Sequence, residues 1–253
     1  MAIQENPYLP PVSRVADASI PAGPYLEAGR VVPASHGYEW IAEGWRLFRR
    51  QAGIWVLLTL VFVLIFIAAS LVPFAIFLLM PVFVGGMMLG CRKLANGDEL
   101  ELADLFAGFQ RNAGQLVLVG LIAIVLTIGA IVVVLLMFGA GASLAVFGGA
   151  DAAALGAGAL LTVLVSMALT LPINMAMWFA PALVALNDQK APQAAMHSFK
   201  ACLKNLVPFL IYGFILFVLA IIATIPLGLG WFVLGPVIIA SVYAAYRDIF
   251  FAG

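Results

Sequence analysis

Four long runs without a charged residue constrain this chain more than any other feature. They cover residues 51–91, 112–150, 152–187 and 205–246, and each is 36 to 42 residues long. Only 9% of all residues are charged and 65% are hydrophobic, whereas a soluble domain carries charge on about a quarter of its residues. The sequence therefore predicts an integral membrane protein and excludes a soluble globule.

The length of these runs sets the number of membrane spans. A helix rises about 1.5 Å per residue, so ~40 residues would reach roughly twice the hydrocarbon thickness of about 30 Å. The first and last runs must each fold into a two-helix hairpin, with turns predicted at residues 70–73 and 225–228. The two middle runs each supply one span, joined by a predicted loop at the Gly/Ala-rich residues 139–159. The predicted fold is an all-α integral membrane protein with six transmembrane helices.

The distribution of lysine and arginine predicts the orientation. With both termini in the cytoplasm, all twelve basic residues lie before the first span, between spans two and three, between spans four and five, or after span six. The outer loops then contain none, as expected because basic residues favour cytoplasmic loops. We therefore predict a multi-pass protein of the cytoplasmic (inner) membrane with both termini cytoplasmic.

The first 34 residues differ in character from the rest of the chain. They contain six of the fourteen prolines, mixed charges and no apolar core, a composition that favours disorder and lacks the centre of a secretory signal. We predict a disordered cytoplasmic tail at residues 1–34 and a six-helix transmembrane domain at residues 35–253. Residues 6–11 (NPYLPP) also fit an extended docking peptide for another membrane protein, although a solvated tail is the simpler interpretation.

A short amphipathic segment precedes each of the three span pairs. We name these segments, at residues 38–51, 98–112 and 191–205, the first, second and third elbows. Each ends in a basic residue followed by an amide, at Arg50-Gln51, Arg111-Asn112 and Lys204-Asn205. Their predicted apolar stripes are Tyr38, Ile41, Trp45 and Phe48; Leu102, Leu105, Phe106 and Phe109; and Met196, Phe199 and Leu203. The pattern predicts three hairpin repeats with cytoplasmic amphipathic elbow helices.

Helices that lie in the membrane interface direct basic side chains toward lipid phosphates. The candidate contacts to membrane lipid headgroups are Arg46, Arg49, Arg50, Arg111, Lys200 and Lys204. Simple anchoring of the elbows explains these residues most economically, and a dedicated lipid-headgroup site is the alternative.

Asn174 is the most unusual polar residue predicted at membrane depth. It follows Pro172 by two positions, and proline frees a backbone carbonyl about four residues earlier that a nearby amide can satisfy. That structural role is the simpler interpretation. In the functional alternative, Asn174 and Trp178, one helical turn apart, line a cavity for a small polar solute.

The sequence offers little reactive chemistry. Proton-coupled carriers usually require an ionisable residue inside a span, and none is predicted here. No GxSxG, P-loop or GxGxxG motif is present. Cys91 and Cys202 stand 111 positions apart and His36 and His197 are isolated, which argues against a disulfide framework or a metal site. We expect no enzymatic activity, no cofactor and no metal, and the formal net charge of zero gives no indication of nucleic acid.

Four segments carry a resemblance to a known family. They are VVPASHGYEWIAEGWRLFRRQ (31–51), LADLFAGFQRN (102–112), FAPALVALNDQKAPQAAMHSFKACLKN (179–205) and YAAYRDIF (243–250). On these motifs the chain from about residue 31 to residue 250 resembles the BPSS-type family of uncharacterised proteobacterial six-helix membrane proteins. The resemblance implies the cytoplasmic membrane of a Gram-negative bacterium and supplies no catalytic residue.

The sequence therefore favours a non-enzymatic accessory or scaffold protein. It would engage membrane lipids, and other membrane proteins through its N-terminal tail. The alternative is a channel or uncoupled carrier for a small polar solute, with a path between the repeats near Asn174.

Overall fold

The computed structural model describes residues 23–72, 74–149 and 151–252. These residues form ten α-helices and one short 3-10 helix, and an isolated bridge pairs Tyr25 with Phe251. The helices are α1 (His36–Arg50), α2 (Ala52–Ala69), α3 (Ala75–Ala95), the 3-10 helix (Leu102–Phe106), α4 (Ala107–Gln110), α5 (Ala113–Gly148), α6 (Ala152–Trp178), α7 (Ala180–Asn187), α8 (Ala191–Lys204), α9 (Leu206–Thr224) and α10 (Trp231–Phe250).

Six segments of the described chain are long and apolar enough to cross a bilayer: α2, α3, α5, α6 continued by α7, α9 and α10. The first predicted hairpin turn falls between the end of α2 at Ala69 and the start of α3 at Ala75. The last falls between the end of α9 at Thr224 and the start of α10 at Trp231. The prediction of an all-α, six-span membrane protein is confirmed.

The predicted loop at residues 139–159 is wrong. Helix α5 continues to Gly148 and α6 begins at Ala152, so the hairpin turn is only a few residues long. Gly149 ends α5 with a positive φ of 63°, and the Asp151 carboxylate accepts a hydrogen bond from the Ala154 N–H at 2.8 Å. The alanines of this stretch favour helix, and these two caps locate the turn. Helix α5 has 36 residues and is about 54 Å long, well beyond the hydrocarbon thickness of about 30 Å.

The packed core lies at one end of the bundle. Helices α3 and α10 are the most buried spans, whereas α2, α5, α6 and α9 expose most of their surface. The buried aromatic and aliphatic side chains cluster where α1, α4, α7 and α8 meet the last turns of α3 and α10. We name this region the charged end, because it carries the described lysines and arginines. The opposite halves of the spans therefore face the lipid.

Each elbow packs on a proline-containing span. Helix α1 packs on α10, the 3-10 helix and α4 pack on α3, and α8 packs on α6 and α7. Backbones approach closely at glycines: a Cβ on Gly44 would lie 2.7 Å from the Val237 carbonyl oxygen, and one on Gly108 would lie 2.0 Å from that of Val82. Small residues permit such contacts in membrane proteins, where packing rather than hydrophobicity drives helix association.

The predicted apolar stripes of the elbows coincide with the buried faces only in part. Ile41, Phe48 and Leu105 are buried, whereas Tyr38 and Trp45 are exposed. The buried face of α1 also includes Gly37, Trp40 and Gly44. The other stripe residues that the structure exposes are Leu102, Phe106, Phe109, Met196 and Leu203. Lipid is as apolar as the protein interior, so large apolar side chains gain little from facing the protein and small ones pack more closely.

Three side-chain amides connect the elbows in a ring. The Gln51 Oε1 accepts a hydrogen bond from the Leu100 N–H at 2.7 Å, and the Gln115 Oε1 accepts one from the Ala191 N–H at 2.8 Å. The Asn205 Oδ1 accepts one from the Val32 N–H at 2.9 Å, which closes the ring. Each acceptor lies at or next to the start of a span, and each donor lies at the entry to the next elbow.

The predicted tail at residues 1–34 extends too far. Residues 1–22 lie outside the described part of the chain, but residues 23–34, which we name the strap, run along the end of α10. The Leu26 N–H donates to the Phe250 carbonyl and the Arg30 N–H to the Ile249 carbonyl, both at 2.8 Å. The Tyr25 ring stacks on Phe250, and burial, with a smaller effect of Glu27, raises the pKa of Tyr25 to about 12. These specific anchors outweigh the proline-rich composition.

Candidate functional site

Asp248 organises the first polar cluster of the charged end. Its Oδ1 lies 2.8 Å from Nη2 of Arg30, and its Oδ2 accepts a hydrogen bond from Nε1 of Trp40 at 2.8 Å. Nδ1 of His36 lies 2.7 Å from the same Oδ2. Arg30 also donates from Nε to the Asp248 carbonyl at 2.7 Å. The cluster joins the strap, α1 and α10, which makes it a structural junction.

Asp188 organises a second cluster, between α5 and the end of α7. Its Oδ2 lies 2.9 Å from Nη2 of Arg111, and its Oδ1 accepts a hydrogen bond from Nδ2 of Asn112 at 2.6 Å. These donors hold the pKa of the Asp188 carboxyl below its ordinary value, with the Arg111 hydrogen bond as the largest cause. Both Asn112, just before α5, and Asp188, just after α7, have a positive φ. The cluster therefore joins the start of α5 to the end of α7.

A third cluster joins α3 to the second elbow. Nζ of Lys93 lies 2.9 Å from Oδ1 of Asp104, a buried carboxylate whose Oδ2 accepts a hydrogen bond from the Glu101 N–H at 2.8 Å. Nη1 of Arg50 donates to the Leu94 carbonyl at 2.7 Å. This geometry holds helix ends together and uses Asp104 as a local cap.

The six predicted lipid-headgroup residues divide into two groups in the structure. Four are engaged within the protein: Arg46 pairs with Glu43, Arg50 binds the Leu94 carbonyl, Arg111 pairs with Asp188, and Lys204 binds the carbonyls of Ala28 and Gly29. Arg49 and Lys200 are exposed and make no ion pair or hydrogen bond with any described residue. These two cations are the most accessible to an anionic ligand.

Asn174 lies on the exposed surface of the α5–α6 hairpin. Its Nδ2 donates to the Thr170 carbonyl at 3.0 Å, rather than to the carbonyl near Ala168 that Pro172 leaves without its helical donor. With Thr127, Ser166 and Thr170 it lines a cavity of about 330 Å³ between α5 and α6. The structure therefore places Asn174 and three hydroxyl side chains at a largely apolar cavity within one hairpin.

Trp178 lies outside that cavity lining. Its ring packs edge-on against Phe209 and Tyr212 of α9, with ring centroids 6.0 and 6.2 Å apart. Tyr212 in turn shares a buried hydrogen bond of 2.7 Å with Ser241. Trp178 thus belongs to an aromatic cluster near the charged end, and the structure does not bring it together with Asn174 around one cavity.

A serine of the third elbow binds the backbone groups that lose their helical partners at the break between α6 and α7. Pro181 cannot donate to the preceding turn, and the helix is interrupted at Phe179. The Ser198 hydroxyl accepts a hydrogen bond from the Phe179 N–H at 2.9 Å and donates to the Met175 carbonyl at 2.6 Å. Ser198 is fully buried, so this serine has a structural role at the kink.

Neither cysteine is placed for chemistry. Cys91 and Cys202 are both free and buried, and burial raises the pKa of the Cys202 thiol to about 12, against a smaller opposing effect of Ser198. Among the described residues no group of three or more His, Cys, Asp or Glu side chains could hold a metal ion.

Sequence reasoning missed the Asp248 and Asp188 clusters. Asp248 is 218 positions from Arg30, so no local spacing indicates their contact. One available signal was Asp188, a charged residue directly after an apolar run and opposite Arg111 in the predicted topology. Gln51 and Asn205 were recognised as part of a repeated feature, but their partners, and the role of Gln115 in the ring, were not.

Comparison with known proteins finds a similar sequence among bacterial membrane proteins. The chain is 29% identical, over 204 residues, to a probable inner membrane protein of Burkholderia thailandensis, and the match covers 75% of each chain. No family model matches the chain, and no solved structure matches it. The similarity relates the chain to a probable inner membrane protein of a bacterium.

Proposed function

We propose that this chain is a non-enzymatic accessory or scaffold protein of the cytoplasmic (inner) membrane, with both termini in the cytoplasm. The relative from Burkholderia thailandensis carries the name of an inner membrane protein, and the basic residues gather at one end of the bundle, as the positive-inside rule requires for a cytoplasmic end. From the four motifs of the sequence we also propose that the chain belongs to the BPSS-type family.

A polar stripe on the α5–α6 hairpin carries the proposal. Thr162, Ser166, Thr170 and Asn174 recur every fourth residue on α6, and each belongs to a helix that the rest of the bundle leaves almost uncovered. Asn174 lies about 20 Å along the helix from Asp188, close to mid-membrane. Its Oδ1 accepts no hydrogen bond from the described residues.

An exposed amide in hydrocarbon favours association with another helix. Asparagine and hydroxyl side chains form hydrogen bonds between transmembrane helices, which contribute roughly 1–2 kcal/mol in model peptides. The stripe therefore suits the transmembrane helix of a partner protein. The long hairpin, which extends from the packed charged end, would present this stripe to the partner.

The charged end supports the lipid part of the proposal. Arg49 and Lys200 remain available to lipid phosphates, while Arg50, Arg111 and Lys204 hold the elbows in place. The carboxylates of Asp104, Asp188 and Asp248 are each bound by donors from neighbouring helices, an arrangement that favours structural over catalytic roles. Residues 1–22 are the proposed additional contact to other membrane proteins.

Crosslinking in the native membrane followed by affinity purification tests the scaffold function. The unchanged chain, Asn174→Leu, the control Ser143→Leu and a chain lacking residues 2–22 would be compared by mass spectrometry. Ser143 is an exposed hydroxyl residue of the same hairpin, bonded only to the Ala140 carbonyl. We expect a stoichiometric membrane protein whose recovery falls about tenfold with Asn174→Leu, falls also with the chain lacking residues 2–22, and is unchanged with Ser143→Leu. Equal recovery in all four samples would contradict partner binding by the stripe and by the tail.

A channel or uncoupled carrier for a small polar solute is the second candidate function. The cavity of about 330 Å³ at Thr127, Ser166, Thr170 and Asn174 favours it, because a permeant polar molecule needs hydrogen-bonding groups in the hydrocarbon region. Solute flux into liposomes containing the purified protein tests this function. We expect flux that Asn174→Ala reduces if the chain is a carrier, and flux equal to that of empty liposomes if it is a scaffold.

A further inference from the structure

An apolar groove runs beneath α1, between α9 and α10. Its volume is about 570 Å³, within the range of roughly 300–1,000 Å³ typical of ligand sites. Helix α1 contributes Tyr38, Ala42 and Trp45, α9 contributes Ile222, and α10 contributes Val233. The lining is almost entirely apolar, so the groove suits a hydrocarbon chain rather than a polar solute.

The shape of the groove follows from how three helices meet. At the end away from α1, Gly230 approaches α9 so closely that a Cβ on it would lie 2.5 Å from the Ala223 Cα. At the other end α1 inserts between α9 and α10, with Gly37 against the Pro208 carbonyl and Gly44 against Ser241. The groove is therefore closed at both ends and opens sideways, where hydrocarbon is the surrounding medium.

An accessible cation, Arg49, lies one helical turn beyond the residues of α1 that line the groove. Tyr38, Ala42, Trp45 and Arg49 recur at intervals of four, three and four residues, so they follow one stripe along α1. Tyr38 and Trp45 are exposed aromatic residues, a type that concentrates at membrane interfaces. Arg49 makes no ion pair or hydrogen bond within the described chain, whereas the adjacent Arg46 pairs with Glu43.

We propose that this groove binds one acyl chain of an anionic phospholipid, with the lipid phosphate at Arg49. The apolar lining and the lateral opening into hydrocarbon favour an acyl chain, and the unpaired guanidinium of Arg49 favours a negatively charged headgroup. Such binding rests on the lipid contact proposed above for the charged end, and it specifies the class of lipid and the residues that hold it.

Photo-crosslinking with a defined lipid tests this site. The full-length protein would be placed in nanodiscs that contain phosphatidylglycerol with a diazirine on one acyl chain, or phosphatidylcholine with the same diazirine-labelled acyl chain. After illumination the crosslinked peptides would be identified by mass spectrometry. We expect crosslinks at Ile222, Val233 and Trp45. Ala42→Phe fills the groove from an exposed position and should reduce these crosslinks severalfold, whereas the matched Ala103→Phe, at an exposed position of the second elbow, should not.

The headgroup preference gives an independent measurement. We expect Arg49→Gln to lower the ratio of phosphatidylglycerol to phosphatidylcholine crosslinking about fivefold, the effect of one basic side chain near a membrane surface. Lys190→Gln, which removes an exposed cation elsewhere on the charged end, should leave the ratio unchanged. Unaltered thermal unfolding of the variants would show that each has folded.

Two results would overturn the lipid site: crosslinks spread evenly over all lipid-facing helices, or groove crosslinks unaffected by Ala42→Phe. The scaffold function fails separately. A chain that captures its partner but shows no groove crosslink contradicts the lipid site alone, and a chain with intact groove crosslinks but no partner contradicts the scaffold alone.

Discussion

Arg30, near the start of the described chain, holds Asp248, near its end, through an Nη2–Oδ1 contact of 2.8 Å. The same carboxylate accepts the Trp40 N–H and contacts His36. The strap, the first elbow and the last span therefore share one anchor. A proline-rich segment becomes part of the folded unit because this anchor and the backbone bonds to Ile249 and Phe250 hold it in place.

Loss of the Arg30 side chain should release the strap. A hydrogen bond to a charged group contributes roughly 1.5–3 kcal/mol, so we expect Arg30→Gln to increase chymotrypsin cleavage after Tyr25 by about tenfold or more. Arg46→Gln, which removes an exposed pair between neighbouring turns of α1, is the control. Cleavage at the same rate in both variants would show that Arg30 does not retain the strap.

Asn205 should be a strong determinant of stability because it is nearly inaccessible and its amide bonds the strap at two positions. Its Oδ1 accepts the Val32 N–H, and its Nδ2 donates to the Arg30 carbonyl at 2.9 Å. Asn205→Leu leaves these buried groups unsatisfied, at a cost of roughly 1–3 kcal/mol each. We expect a clear decrease in the free energy of unfolding, measured by SDS titration. Gln193→Leu, at an exposed position of α8, should have little effect, and similar values for the two variants would contradict the role of the ring.

Uncharged run lengths and the placement of basic residues were sufficient to predict the six spans and two of the hairpin turns. They were insufficient for the third, because Gly and Ala were interpreted as loop residues at 139–159, whereas alanine in an apolar run continues a helix. The local signals that end α5 and begin α6 are the left-handed Gly149 and the capping carboxylate of Asp151.

The elbows show why amphipathic pattern alone misplaces a buried face. Tyr38 and Trp45 are large, apolar and exposed, whereas Trp40 is buried and Gly44 makes the close contact to α10. In water all these aromatic side chains would tend to be buried, but lipid removes that driving force, so close packing decides which face of α1 meets the protein. The polar contacts of Asp248 depend on tertiary folding over more than 200 positions, which no sequence spacing encodes.

Gly44 should therefore tolerate substitution poorly. A Cβ at this position would lie 2.7 Å from both the Ser241 nitrogen and the Val237 oxygen, and these backbone atoms cannot move aside as a flexible side chain would. We expect Gly44→Leu to lower the free energy of unfolding by about 3 kcal/mol or more. Gly53→Leu, in α2 with open space around it, is the matched control and should be nearly neutral. Equal stability of the two variants would contradict the close approach of α1 to α10.

The two thiols should react slowly while the protein is folded. Cys202 is 4% exposed, and its pKa of about 12 leaves almost no thiolate at neutral pH. We expect maleimide to label neither Cys91 nor Cys202 at the rate of a cysteine introduced by Gln193→Cys, and to label both after denaturation in SDS. Rapid labelling of native Cys202, detected by mass spectrometry, would show that α8 opens readily.

Asp188 predicts a specific dependence of stability on pH. Because Arg111 and Asn112 lower its pKa in the folded state, the ionised carboxylate stabilises the fold at pH values above its unfolded pKa of about 3.9. This contribution is lost as the pH falls through the lower, folded pKa. Asp188→Asn should therefore have a lower Tm than the unchanged chain at pH 7, by a small amount since the pair is exposed. The two Tm values should converge as the pH falls below the unfolded pKa of about 3.9 and through the lower, folded pKa. Asp98→Asn, at an exposed acid that makes no ion pair within the described chain, should show no such convergence. The Tm difference between Asp188→Asn and the original protein could instead stay the same in acid. That result would mean that the amide disrupts packing and that the ion pair with Arg111 contributes nothing.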